Sequence, residues 1–180
     1  MFSKQDLDRQ DLLQAGTIHN YYVNAICDDL FTQNLQRGTP AFWQWLANLM
    51  YDNNVITSYE MTYISNLATS VGTPTTPLAT VVSNFQTLMT QIENDTQVTS
   101  PTLRATISVG LASAQNGLNP PPFYPDTINW GNAWSDDLSG AGVGATIGAF
   151  SGPGGAAIGA GAGGVIATGV SILIGSLCGS

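Results

Sequence analysis

The sequence predicts an all-α protein. A helical N-terminal domain spans residues 1–115, a proline-rich, aromatic linker spans 116–137, and a glycine-rich hydrophobic helical hairpin spans 138–180. Three observations predict this. Apolar residues recur every three to four positions through the first part. Three proline devices, Thr39-Pro40, Thr76-Pro77 and Ser100-Pro101, stand where helices should begin. Beyond Asp137 no Asp, Glu, Lys, Arg or His remains, and 14 of the 20 glycines fall in that stretch.

Ser3 is placed to cap a helix over KQDLDRQDLLQ, broken at Gly16. Ile18, Tyr22, Ile26 and Leu30 then keep helical spacing until Arg37-Gly38. Thr39 caps the next helix and Pro40 takes its first position; Phe42, Trp45, Leu46 and Leu49 are its expected core face. Asp52-Asn53-Asn54 forms a turn. Thr57 and Glu60 have the spacing of a capping box, in which side chain and backbone bond reciprocally at a helix start. They open a helix through Met61, Ile64, Leu67, Ala68 and Val71, closed by Gly72. Thr76-Pro77 precedes a helix with Leu78, Val81, Phe85, Leu88 and Ile92 on one face, and Ser100-Pro101 one with Leu103, Ile107 and Leu111. ATVVSNF and ATISVGL also suit strands by their β-branched content, but the longer, capped helical spacing favours helix. Pro120, Pro121, Pro122 and Pro125 exclude regular helix from the linker.

In the final segment the glycines are spaced. Gly140, Gly144, Gly148 and Gly152 fall four apart; Pro153-Gly154 interrupts; Gly155, Gly159 and Gly163 resume the period. Residues four apart share a helix face, and a row of glycines there lets a second helix approach to backbone contact. Two helices are expected, roughly Leu138–Ser151 and Gly155–Leu177. Glycine costs about 1 kcal/mol relative to alanine in a water-exposed helix interior, so this segment must gain order from close packing or from a bilayer. The second helix, 23 residues, is long enough to cross a hydrocarbon core of about 30 Å. A hairpin buried inside a soluble bundle and a disordered glycine-rich tail are the alternatives. Trp130 and Trp134, four apart, suit either membrane-interface anchoring or an aromatic lid packing the hairpin onto the helical domain. Asp136 and Asp137 stand at the expected hairpin start, where the helix dipole favours acids.

Only 9% of residues are charged, against roughly 25% in ordinary soluble domains, so Thr, Ser, Asn and Gln must cover the surface. The net charge is -8, with Lys4, Arg9, Arg37 and Arg104 the only fixed cations. That opposes nucleic-acid binding and electrostatic capture by anionic lipid, so any membrane contact must be hydrophobic. Enzymatic chemistry has no support. His19 is the single histidine, no nucleophile elbow or triad order appears, and Cys27 and Cys178 define neither a disulfide framework nor a metal site. Whether those two cysteines pair is open. Gly159, Gly161 and Gly164 fit a dinucleotide fingerprint in letters alone, with no acid following. No cofactor is expected. The N-terminus lacks the apolar region of a secretory signal, so synthesis in the bacterial cytoplasm and a dedicated export apparatus are the expectation for a secreted product.

The tail GAGVGATIGAFSGPGGAAIGAGAGGVIATGVSILIG resembles the glycine-zipper cores of unmodified bacterial bacteriocins. With Gly16–Ile26, it also resembles small uncharacterised bacterial proteins ending in such tails. Pore-forming colicin domains, which hide an apolar helical hairpin among amphipathic helices, are an architectural analogy without a shared motif. The resemblance implies a membrane-inserting or pore-forming protein whose partner is a lipid membrane. The competing expectation is a self-assembling structural or secretion-associated protein, whose hairpin packs against copies of itself.

Overall fold

The computed structural model describes residues 35–36, 38–119 and 130–149, with the side chains of 130 and 147–149 excepted. The chain divides into two compact units, Met1–Leu35 and Gln36–Ser180, and every described helix belongs to the second. The expected helices before Arg37, the prolines of 120–129 and the second hairpin arm lie outside the described residues. So do His19, Cys27 and Cys178.

Every regular element among the described residues is a helix. They are α1 (Pro40–Asp52), α2 (Met61–Ser65), α3 (Leu67–Ser70), α4 (Leu78–Asn94), α5 (Pro101–Leu118) and α6 (Trp130–Ala149). The two stretches with strand-like composition lie within α4 and α5. Helix α5 packs against α4 on one side and α6 on the other; α6 also closes on α1, which carries α2 and α3.

Two of the three proline devices work as expected. The Thr39 hydroxyl accepts the Phe42 N–H at 3.3 Å with Pro40 in the first turn. The Ser100 hydroxyl accepts the Leu103 N–H at 3.2 Å with Pro101 in the first turn, and donates to the Val55 carbonyl at 3.0 Å. The third differs. Pro77 itself is the N-cap of α4, and Thr76 faces backwards, its hydroxyl accepting the Thr73 N–H at 3.0 Å. A threonine hydroxyl serves a local turn as readily as a helix start, so the dipeptide alone does not decide which.

The capping box is present in full. Thr57 N–H donates to Glu60 Oε2 at 2.8 Å, and Glu60 N–H to Thr57 Oγ1 at 3.2 Å. The single helix expected after it is broken at Asn66, which ends α2 and begins α3. The Asn66 carbonyl accepts the backbone N–H and hydroxyl of both Thr69 and Ser70, at 2.8–3.0 Å, drawing the chain into a new turn. Gly72 closes α3 at φ +134. Asn54, at φ 58, makes the turn after α1.

The cores of α1 and α5 depart from the expected faces. Trp43, Ala47 and Met50 are buried alongside Phe42, Trp45 and Leu46, while Leu49 is only half-buried. On α5, Leu103 and Ile107 are buried as expected, but Gly110 and Ala114 take the place of Leu111. Partners on two sides bury more than one narrow stripe of each helix.

Candidate functional site

The glycine-bearing helix begins earlier than the sequence predicts. Residues 130–137, expected in the linker, form the first two turns of α6, and the preceding helix α5 continues to Leu118 rather than stopping at 115. The reason is the stripe Trp134, Leu138, Ala141 and Ala145. Its spacing is that of one helix face, and all four residues are buried. The aromatic side chain at its head is worth far more buried area than any glycine, so Trp134 rather than Gly140 fixes where the helix docks. Asp136 and Asp137 consequently lie in the second turn, not at the helix start.

Trp134 is fully buried. Its ring stacks on Trp43 of α1 at 6.3 Å between centroids, and meets Phe85 of α4 edge-on at 5.5 Å. Trp43 in turn meets Phe42 at 5.2 Å, and Phe42 meets Trp45 at 5.5 Å. Five rings thus join α1, α4 and α6. Trp134 is thus buried between Trp43 of α1 and Phe85 of α4. Trp130 stands at the start of α6, with its side chain outside the described residues.

Small residues set the distance between α6 and its neighbours. A Cβ on Gly110 of α5 would come within 2.7 Å of Leu138 Cδ1 and 2.8 Å of Phe85 Cζ. A Cβ on Gly142 would lie 3.0–3.3 Å from the Leu46 side chain of α1. Among the described residues, Gly110 of α5 and Gly142 of α6 are therefore the glycines at which α6 and a neighbour come closest, and neither belongs to the zipper row. Gly140 and Gly144 are half-buried, roughly 90–130° around the helix from the centre of the buried stripe. Gly148 lies in α6, while Gly152, Gly155, Gly159 and Gly163 lie outside the described residues. Counting glycines obscured Gly110 and Gly142. The signal that finds them is the apolar stripe: Gly142 follows Ala141 on its shoulder, and Gly110 lies between Ile107 and Ala114 on the inner face of α5.

Two carboxylates are the other organised polar centres. Glu60 is fully buried; its Oε2 takes the Thr57 N–H, and its Oε1 takes those of Thr99 at 2.8 Å and Ser100 at 2.6 Å. Burial by itself pushes this carboxyl upward, but the three backbone donors and the Thr57 hydroxyl together outweigh it and hold the group below its ordinary value. Glu60 thus bonds the start of α2 to the start of α5. Asp95 accepts the Tyr63 hydroxyl at 2.6 Å and the Tyr59 hydroxyl at 2.7 Å on one oxygen, and the Gln97 N–H at 2.9 Å on the other. The Tyr63 and Tyr59 hydrogen bonds hold Asp95 below the usual carboxylate range, and the same bonds raise both phenols. Both carboxylates spend their lone pairs on fixed donors, which suits tying loops together rather than proton transfer. No group of three His, Cys, Asp or Glu side chains among the described residues could hold a metal ion.

No described helix is long and apolar enough to cross a membrane. No protein-family model matches the chain, and no curated protein or solved structure was found to match it.

Proposed function

We propose that the chain is a bacteriocin-like, membrane-inserting protein whose helical bundle carries a glycine-zipper hairpin as its effector. The observation that supports this most is the division of labour along α6. The stripe from Trp134 to Ala145 is buried in the bundle, while the sequence from Leu138 to Ser180 has no Asp, Glu, Lys, Arg or His. The bundle therefore grips the first arm of an uncharged segment whose second arm, Gly155–Leu177, is long enough to span a bilayer. The proposed action needs neither catalytic residue nor cofactor, and its partner is the lipid membrane, reached after export from a bacterial cytoplasm. Leakage of dye from liposomes by the full chain tests it. Gly148→Leu with Gly159→Leu should abolish leakage by blocking close helix approach while preserving hydrophobicity. Leakage unchanged by that pair, or no leakage by the wild type, defeats the mechanism.

A second reading, self-assembly through the hairpin, draws on the position of Gly140 and Gly144. Their flank of α6 stands away from the buried stripe, which suits close approach of another helix, including one from a second copy. An assembling protein elutes as a large species in detergent-free buffer, and Gly140→Leu with Gly144→Leu returns it to a monomer. A membrane inserter elutes small in buffer and moves with liposomes.

A further inference from the structure

We propose that Tyr59, Tyr63 and Asp95 form an oxidation site, at which a one-electron oxidant joins the two phenol rings into a dityrosine. The inference goes beyond the function proposed above and does not depend on it. Tyr59 stands just before α2 and Tyr63 within it, four positions on. Their hydroxyls converge on one oxygen, Asp95 Oδ2, at 2.7 and 2.6 Å. Asp95 is held in place through its other oxygen, which takes the Gln97 N–H at 2.9 Å. The rings meet edge-on with centroids 6.3 Å apart. Sharing one acceptor sets the hydroxyl ends side by side, and with them the ring carbons next to each hydroxyl. Those carbons are the positions that couple when tyrosyl radicals combine. Tyr59 is 40% exposed, so an oxidant in solution reaches it.

At rest the cluster is a tie. Short bonds to a charged acceptor favour the neutral phenol, and they hold both tyrosines above their ordinary range. Removing an electron reverses this, because an oxidised phenol is a strong acid and its proton already points at a carboxylate. A base within hydrogen-bond reach of the proton it takes is the geometric requirement for such assistance. Each phenol loses one electron to the oxidant and its hydroxyl proton to Asp95, which passes the first proton to water before it takes the second. The two radicals then form a single bond between the carbons beside their hydroxyls. The hydrogens of those carbons move through solvent to the phenol oxygens and restore both hydroxyls. The net loss is two electrons and two protons, which a haem peroxidase removes by reducing hydrogen peroxide to water. Tyr51 is the internal comparison. It is as exposed as Tyr59, at 43%, and its hydroxyl has no carboxylate partner among the described residues.

Tris(bipyridine)ruthenium(III), a one-electron oxidant, applied to the full chain tests this. Mass spectrometry of the peptide spanning 59–63 should show the loss of two hydrogen atoms, and dityrosine fluorescence should appear with it. That product should form about tenfold faster than any oxidation product of Tyr51; Tyr51 reacting as fast overturns the proposal. Phosphate concentration, varied at constant pH and ionic strength, gives the readout that a merely structural Asp95 would not move. Tyr51 must hand its proton to the solvent, so its oxidation should speed up with phosphate, whereas the Tyr59–Tyr63 coupling should not. In Asp95→Asn, which keeps the size of the side chain, the coupling should fall about tenfold and acquire the phosphate dependence of Tyr51. Coupling that depends on phosphate in the wild type, or that keeps its wild-type rate in Asp95→Asn, overturns the proposal.

Discussion

Glu60→Gln is the substitution with the most clearly worked consequence. The side chain is fully buried, with both oxygens committed to three backbone N–H donors from two separate loops. The amide is nearly isosteric, so no cavity forms. It keeps one oxygen and puts an NH2 donor where the other stood. With the oxygen kept toward Thr99 and Ser100, the Thr57 N–H faces a donor and is orphaned, which costs about 1–3 kcal/mol; the two surviving bonds lose their charge assistance, worth about 1 kcal/mol more. The expected loss is about 2–4 kcal/mol at pH 7. In urea unfolding the midpoint should fall with the slope unchanged. The pH dependence fixes the origin. The folded-state pKa of Glu60 is lowered, so its contribution is fully present above the ordinary glutamate range and is lost as pH falls through the folded value. The gap between wild type and Glu60→Gln should be constant from pH 6 to 8 and close below about pH 4.5. A loss under about 0.5 kcal/mol at neutral pH, or a gap that widens on acidification, would refute the account of Glu60 as a charged staple.

Trp134→Ala should cost about 3–5 kcal/mol, read by denaturant unfolding, because it empties the centre of the five-ring cluster; a cost under about 1 kcal/mol would show that α6 does not dock through this ring. Gly110→Ala and Gly142→Ala should differ in effect, although each gains about 1 kcal/mol of helix propensity. The new methyl at 110 meets Leu138 and Phe85 at 2.7–2.8 Å and should be net destabilising, whereas at 142 it meets only the Leu46 side chain at 3.0–3.3 Å and should be close to neutral. Equal melting temperatures for the two variants would contradict that packing. Asp95→Asn should bring the Tyr59 and Tyr63 phenols back toward ordinary titration, seen as earlier phenolate absorbance on raising pH. In the wild type these raised phenols contribute stability present below pH of about 10 and lost as pH rises through their folded values. A titration unchanged by the substitution would mean the two hydroxyls do not share Asp95 in solution.

The sequence by itself determined that the described region is helical and where most helices begin. Spacing, Thr39-Pro40, Ser100-Pro101 and the Thr57–Glu60 box are local signals, read within one or two turns of chain. Gly72, at φ +134, and Asn54, at φ 58, were legible as stops for the same reason: the requirement for an uncommon backbone angle is local too. What only tertiary structure decided was which residues meet. Glu60 was readable as half of a capping box, but not as the acceptor for Thr99 and Ser100, about forty residues away. Nothing local distinguishes Trp43, fully buried, from a neighbour left in solvent until α6 arrives to stack on it. The glycine row drew attention to Gly140 and Gly144, whereas the close contacts of α6 are made through Gly142 and, from across the seam, Gly110. Helix formation is governed by neighbours three and four positions away, so periodicity reveals it. Which side of a glycine-rich helix touches another helix depends on the largest side chain it can bury, and the complement to Trp134 is supplied by Trp43 and Phe85, far from it in the chain.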